Sequence, residues 1–120
     1  MLRTVVSLDE IEGGGKAPEI AAALDRLWGR FLPEIRARVE ILEAGAQSLV
    51  DGTLSTAQRE SAASAAHKLA GTLGTFNLAR GTVVARELEH LYAGGDGPSP
   101  QDAAQKSKEL RELIEGREGG

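Results

Sequence analysis

Apolar residues recur every three or four positions through most of this chain, and no useful length of it alternates apolar and polar residues. This spacing matches the 3.6-residue turn of an α-helix, whereas a half-buried strand alternates every second residue. Only 3% of the residues are aromatic, so the core must consist mainly of Leu, Ile, Val and Ala. The pattern predicts an all-α protein whose helices bury their apolar stripes against one another.

The first predicted helix begins near Pro18, a residue suited to a first turn, and ends at Asp51-Gly52. Its apolar stripe consists of Ile20, Leu24, Leu27, Trp28, Phe31, Ile35, Val39, Leu42, Ala46 and Leu49. The stripe keeps its phase past Pro33, which removes one backbone hydrogen bond and crowds the carbonyl of Gly29. The segment is therefore either one long kinked helix or a short helix followed by a longer one, and the continuous stripe favours the kink. We expect Trp28 and Phe31 to lie in the core.

The second predicted helix begins at Ser55 and runs to about Thr75. Ser55 and Gln58 have the spacing of a capping box, in which each side chain satisfies a free backbone donor. The apolar side of this helix consists of Ala62, Ala66, Leu69, Leu73 and Phe76. Asn77 follows in a turn, where its tolerance of left-handed backbone geometry is useful.

Two shorter helices complete the predicted fold. The third runs from about Leu78 to Ala93 and carries Val84, Leu88 and Leu91 on one side. The fourth begins with Ser99 as N-cap and Pro100 as first helical residue, carries Ala103, Ser107, Leu110 and Ile114, and stops at Gly116. Four amphipathic helices with short connections predict an antiparallel four-helix bundle over residues 17–116. Residues 1–16, which end in a glycine run, and residues 117–120 are predicted tails.

Composition excludes several classes of function. Fourteen basic and eighteen acidic residues give a net charge of −4, which argues against a nucleic-acid surface. The chain has no Cys, so disulfides and Cys-based metal sites are excluded. No apolar run reaches the roughly 18 residues of a membrane span, and the first ten residues do not fit a signal peptide. We expect a monomeric cytoplasmic protein.

His67 lies within the second predicted helix, on a side formed almost entirely by small residues. At about 100° per residue, the positions within about 60° of it are Glu60, Ala63, Ser64, Ala70, Gly71 and Gly74. Each glycine inside a helix costs about 0.8–1 kcal/mol relative to Ala. Gly71 and Gly74 therefore need a reason, and close approach by another protein's surface to the imidazole supplies one.

A solitary histidine limits the chemistry that this face can perform. The chain offers no second His at helical spacing and no obvious carboxylate pair, so we expect no metal site. Nothing marks out a Ser nucleophile or a carboxyl dyad either. The remaining role is that of a nucleophile in its own right, because a neutral imidazole can accept a group and pass it on.

The segment Ala66–Leu78, AHKLAGTLGTFNL, followed by Ala85–Glu89, ARELE, resembles the histidine phosphotransfer (HPt) domains of bacterial two-component phosphorelays. The resemblance implies a helical bundle whose exposed histidine relays phosphoryl groups between receiver-domain aspartates, or from a kinase to a receiver. It implies that His67 is the phosphorylated residue and that Gly71 is the small position that allows a receiver to dock. Leu69, Leu73 and Phe76 would be packing positions.

The resemblance also implies a phosphocarrier rather than an enzyme. Its partners would be a receiver domain, a histidine kinase or both, and it would need no cofactor of its own because the receiver brings Mg²⁺. Around His67, we expect Ser64, Ala70 and Gly74 to support docking together with Gly71. Lys68 is the candidate cation for the phosphoryl group, with its ordinary role as a solvated surface residue as the alternative.

Two positions depart from the pattern. HPt domains commonly have Lys three residues after the histidine, where this chain has Ala70, and the basic residue here is Lys68. The family also often has Gly where this chain has Asn77. The missing lysine keeps a second hypothesis open: a degenerate domain that binds a receiver or kinase as an adaptor without phosphotransfer. A third, an enzyme with His67 as general base, has little support because no orienting carboxylate is visible.

Overall fold

The computed structural model describes residues 16–94 and 99–117. Within them lie helices α1 (Lys16–Asp51), α2 (Thr56–Thr75), α3 (Ala79–Ala93) and α4 (Pro100–Glu115), and those residues contain no strand. The described residues belong to two compact units, one formed by α1 up to Phe31 and the other by Leu32–Arg117. The second unit contains the rest of α1 with α2, α3 and α4, which confirms the predicted all-α four-helix bundle.

Helix α1 is continuous through Pro33. Of the two interpretations, one long helix is therefore confirmed, and a short helix followed by a longer one is not. Trp28, Ile35, Val39, Leu42 and Ala46 are buried as predicted. The same stripe also contains residues for which burial was wrongly predicted: Ile20 is 59%, Leu27 39% and Phe31 42% exposed. Helical periodicity identifies one side of a helix, but it does not show whether another element covers that side.

Local signals fix the ends of α2. The Ser55 hydroxyl oxygen accepts from the Gln58 backbone N–H at 3.0 Å, and the Ser55 backbone N–H donates to the Gln58 side-chain oxygen at 2.9 Å. The predicted capping box is therefore confirmed. At the other end, Asn77 has a φ of 60°, the left-handed geometry expected of it. The turn at Asn77 lets α3 begin two residues later and run back along α2.

Neighbouring helices in the second unit are linked by identified contacts. Helix α1 meets α2 at Gly45 and Ala62, and it meets α4 through an ion pair of Glu43 with Arg111. Helix α3 meets α4 through an ion pair of Arg80 with Glu109. The core side of α4 consists of Ala103, Ser107, Leu110 and Ile114, all buried as predicted. Helix α2 also packs against α3, so these two helices lie side by side in the bundle.

The ends of α4 also agree with the sequence. The Ser99 hydroxyl oxygen accepts from the Asp102 backbone N–H, with Pro100 in the first turn, and the helix ends at Glu115 before Gly116. The predicted tails lie outside the described residues, except for Lys16, which begins α1, and Arg117. The Arg117 guanidinium lies 5.7 Å from the centroid of the Phe76 ring. No helix in the described ranges is long and apolar enough to cross a membrane.

Tyr92 places a hydroxyl group in the core. It is 1% exposed, and its hydroxyl has no hydrogen-bond partner among the described residues. A Cβ at Gly45 would lie 3.1 Å from that oxygen, so the absence of a side chain at Gly45 makes room for the ring. Burial raises the pKa of Tyr92 to about 12, because ionisation would place a charge in an apolar environment.

We predict that Tyr92 ionises near pH 12 and that the folded protein loses stability as pH rises from about 10, the pKa of an unfolded tyrosine. The unfolded chain releases its proton first, so this rise in pKa corresponds to a loss of about 3 kcal/mol in the free energy of unfolding by pH 12. Tyr92 is the chain's one tyrosine, so phenolate absorbance reports it alone. Tyr92→Phe should remove this part of the pH dependence and, at neutral pH, match or exceed wild-type stability. A phenolate midpoint near pH 10 would contradict the buried position.

Candidate functional site

His67 lies in the middle of α2 and projects from the bundle. Its side chain is 73% exposed, and its Nδ1 lies 2.9 Å from Oε2 of Glu89 on α3. The Glu89 side chain is 31% exposed, so the carboxylate is partly held in the surface between the two helices. The site therefore combines an accessible imidazole with an ordered acidic partner.

The contact with Glu89 determines which ring nitrogen can react. A carboxylate can only accept hydrogen bonds, so Nδ1 must carry the proton and donate it. In the neutral ring, Nε2 then holds the free lone pair. The contact also restrains the ring orientation, as carboxylates do for histidines in metal sites and catalytic triads. The geometry presents Nε2 as a nucleophile.

Glu89 was not predicted from the sequence as a partner of His67. The expectation that no carboxylate orients the imidazole was wrong, because Nδ1 of His67 lies 2.9 Å from Oε2 of Glu89. Glu89 is 22 residues further along the chain, and the register between α2 and α3 brings the two side chains together. The segment Ala85–Glu89 was part of the family resemblance, which was the one available signal, but nothing in its spacing indicated which residue would meet the imidazole.

The face around His67 is largely as small as predicted. Ser64, Gly71 and Gly74 are exposed, whereas Ala63 is half-buried. Ala70 is 4% exposed, so its placement on the exposed docking face was wrong. It lies at the edge of the small face, and Ala66, further round on that same flank, is fully buried. Ala70 belongs to the packed boundary between α2 and α3 rather than to the open surface.

Packing within the protein does not explain the two glycines on this face. A Cβ at Gly71 would meet nothing within 4 Å, and one at Gly74 would lie at an ordinary 3.8 Å from the Thr82 hydroxyl. Alanine would fit at both positions and would favour the helix by about 0.8–1 kcal/mol at each. Packing within the fold therefore does not require glycine at either position. The close approach of a partner's surface is the explanation that remains.

Lys68 lies on the other flank of the face. It is exposed and lines a shallow depression toward α1 with Arg38, Ile41, Ser61, Ser64 and Ala65. Because α3 and Glu89 lie on the opposite flank of His67, the stem of Lys68 leads away from the carboxylate. Among the residues with defined positions, no three His, Asp or Glu side chains form a cluster that could hold a metal ion.

The structure is a four-helix bundle that carries an exposed histidine on a face of small residues. Comparisons with known proteins agree with this description. The family model described as Hpt domain matches residues 26–119, and the chain belongs to this family. It is 35% identical over 82 residues to Protein RcaC of Microchaete diplosiphon, an alignment that covers 68% of this chain and 13% of that protein. No solved structure matches the chain. Hpt domains work with receiver and kinase proteins in phosphorelays.

Proposed function

We propose that this domain is a phosphorelay intermediate that accepts a phosphoryl group on Nε2 of His67 and passes it to or from the aspartate of a receiver domain. The observation that supports this most directly is the exposed imidazole whose Nδ1 is held by Glu89. The partner would be a receiver domain, with a histidine kinase as an alternative donor. We further propose that the domain acts in the cytoplasm.

The transfer step uses the Nε2 lone pair. It attacks the phosphorus of the receiver's phosphoaspartate, so the N–P bond forms while the bond from phosphorus to the carboxylate oxygen breaks. The carboxylate leaves with the electron pair. The ring gains positive charge, which the nearby Glu89 carboxylate stabilises while it continues to accept the Nδ1 proton. The reverse step passes the group to a second receiver.

The chain's contribution is to present the nucleophile rather than to catalyse the transfer alone. Gly71, Gly74 and Ser64 leave room for the rim of a receiver's active site to approach Nε2. The receiver would supply Mg²⁺ and its acidic pocket, since phosphoryl transfer depends on positioning and charge neutralisation. Lys68, on the α1 side of the face, is one candidate for positive charge beside the phosphoryl group.

The direct test incubates the protein with a receiver that carries labelled phosphoaspartate. We expect label to move to this chain and to be acid-labile and base-stable, as a phosphohistidine is. Labelling on an aspartate or serine instead would contradict the proposal. Tight binding of the receiver without any labelling would support the adaptor hypothesis that the missing lysine leaves open.

Glu89→Ala is expected to slow His67 phosphorylation about fivefold, because one partly solvated, charge-assisted hydrogen bond is lost. Glu89→Gln should stay within about twofold of wild type, since its amide oxygen can still accept from Nδ1. Nitrogen NMR of the imidazole should show the Nδ1–H tautomer reduced in Glu89→Ala alone. An unchanged tautomer ratio and rate in Glu89→Ala would remove Glu89 from the mechanism.

A further inference from the structure

The position where HPt domains commonly have a lysine cannot provide a cation in this chain. It is occupied by Ala70, three residues after His67, which is 4% exposed at the boundary with α3. Phosphoryl transfer gains from positive charge beside the equatorial oxygens. If His67 is phosphorylated as proposed above, a cation from another element could take this place.

The register between α2 and α3 identifies the α3 residue that lies at the same level along the helix axis as Ala70. His67 meets Glu89, and seven residues further along α2, Gly74 lies beside Thr82, seven residues earlier on α3. The two helices are therefore antiparallel and in step over this stretch. Three residues after His67 on α2 corresponds to three residues before Glu89 on α3, which is Arg86.

Arg86 is also oriented suitably and is available. It lies about 60° around α3 from Glu89, toward solvent, because the buried side of α3, with Ala85 and Leu88, lies on the other side of Glu89. Arg86 is exposed. Elsewhere on α3, Arg80 and Glu87 are engaged with Glu109 and Lys106 of α4. In the parts of the chain that the structure describes, Arg86 has no ion pair or side-chain hydrogen bond.

We propose that Arg86 supplies, from α3, the positive charge that faces the phosphoryl group on His67. Its guanidinium can donate two parallel hydrogen bonds to phosphoryl oxygens. Lys68, by comparison, lies about 100° around α2 from His67 and lines the α1 side. The inference rests on the proposed function and identifies a residue that acts on the same phosphoryl group.

Phosphoramidate, a small donor, tests this without any partner protein. Nε2 of His67 attacks its phosphorus, the N–P bond to the ring forms, and the donor's P–N bond breaks as ammonia leaves. We expect Arg86→Gln to slow this reaction about tenfold, equivalent to one charge-assisted hydrogen bond, and Arg86→Lys to recover most of the rate. Arg80→Gln, on the same helix but paired with Glu109, is the matched control and should react at the wild-type rate.

The outcomes separate this inference from the function on which it rests. If wild type accepts phosphate from neither phosphoramidate nor a receiver, the proposed function fails. If wild type and Arg86→Gln react equally fast with phosphoramidate, Arg86 has no role at the phosphoryl group although the relay function stands. A defect of Arg86→Gln with receivers alone would also overturn the inference, since it would make Arg86 a docking residue. The same holds if Lys68→Gln slows the reaction and Arg86→Gln does not.

Discussion

His67→Gln is expected to accept no phosphoryl group from a labelled receiver or from phosphoramidate, while it remains folded. Glutamine has no nucleophilic ring nitrogen, so the acceptor is lost entirely. The fold should be little affected, because the side chain is 73% exposed and substitutions at such surface positions usually change stability by less than about 0.5 kcal/mol. Label incorporation measures the first effect, and thermal unfolding followed by circular dichroism measures the second.

The chain provides its own control for this experiment. Of its two histidines, the other is His90, which is exposed in the last turn of α3. His90→Gln removes the other exposed imidazole but should retain full labelling. Label that persists in His67→Gln, or that disappears in His90→Gln, would show that His67 is not the phosphorylated residue. Receiver binding by His67→Gln should continue, since the small face is unchanged.

Much of this fold could be predicted from the sequence because its helix ends depend on local signals. The capping box of Ser55 and Gln58, the Ser99-Pro100 start and the left-handed turn at Asn77 each act within four residues or fewer. The exposure of His67 could be predicted for a similar reason. The large apolar side chains of α2 lie on the opposite side of that helix, and their arrangement follows from helical geometry alone.

What the sequence left undetermined depends on how two helices fit together. The Glu89 contact, the burial of Ala70 and the placement of Arg86 all follow from the register between α2 and α3. That register results from many packing contacts across the interface. The sequence pattern shows which residues share one face of a helix, but it does not show how far two packed helices are offset along their axes. The proposal that Arg86 supplies the positive charge missing at Ala70 therefore depends on the helices being placed side by side.

Gly71→Gln is expected to slow transfer from a receiver by about a hundredfold, because a displacement of about 1 Å in a reacting pair can cost that much. The added side chain would extend into the space that an approaching receiver needs. Within the protein, nothing lies within 4 Å of its Cβ, so the same change should raise the free energy of unfolding by about 0.5–1 kcal/mol through helix propensity. Slower transfer by a more stable protein cannot be attributed to unfolding.

Gly29→Gln is the matched control, because Gly29 is also an exposed glycine within a helix and a Cβ there would meet nothing within 4 Å. Both variants should be more stable than wild type in urea unfolding, and only Gly71→Gln should lose transfer from the receiver. Phosphorylation by phosphoramidate should remain within about twofold in both, since a donor this small does not need the open face.

Equal transfer rates in the two variants would mean that receivers approach His67 without using Gly71. In that case the glycine on this face would have no explanation in docking, and the position of the receiver would have to be sought on the α1 side, beside Ser64 and Lys68.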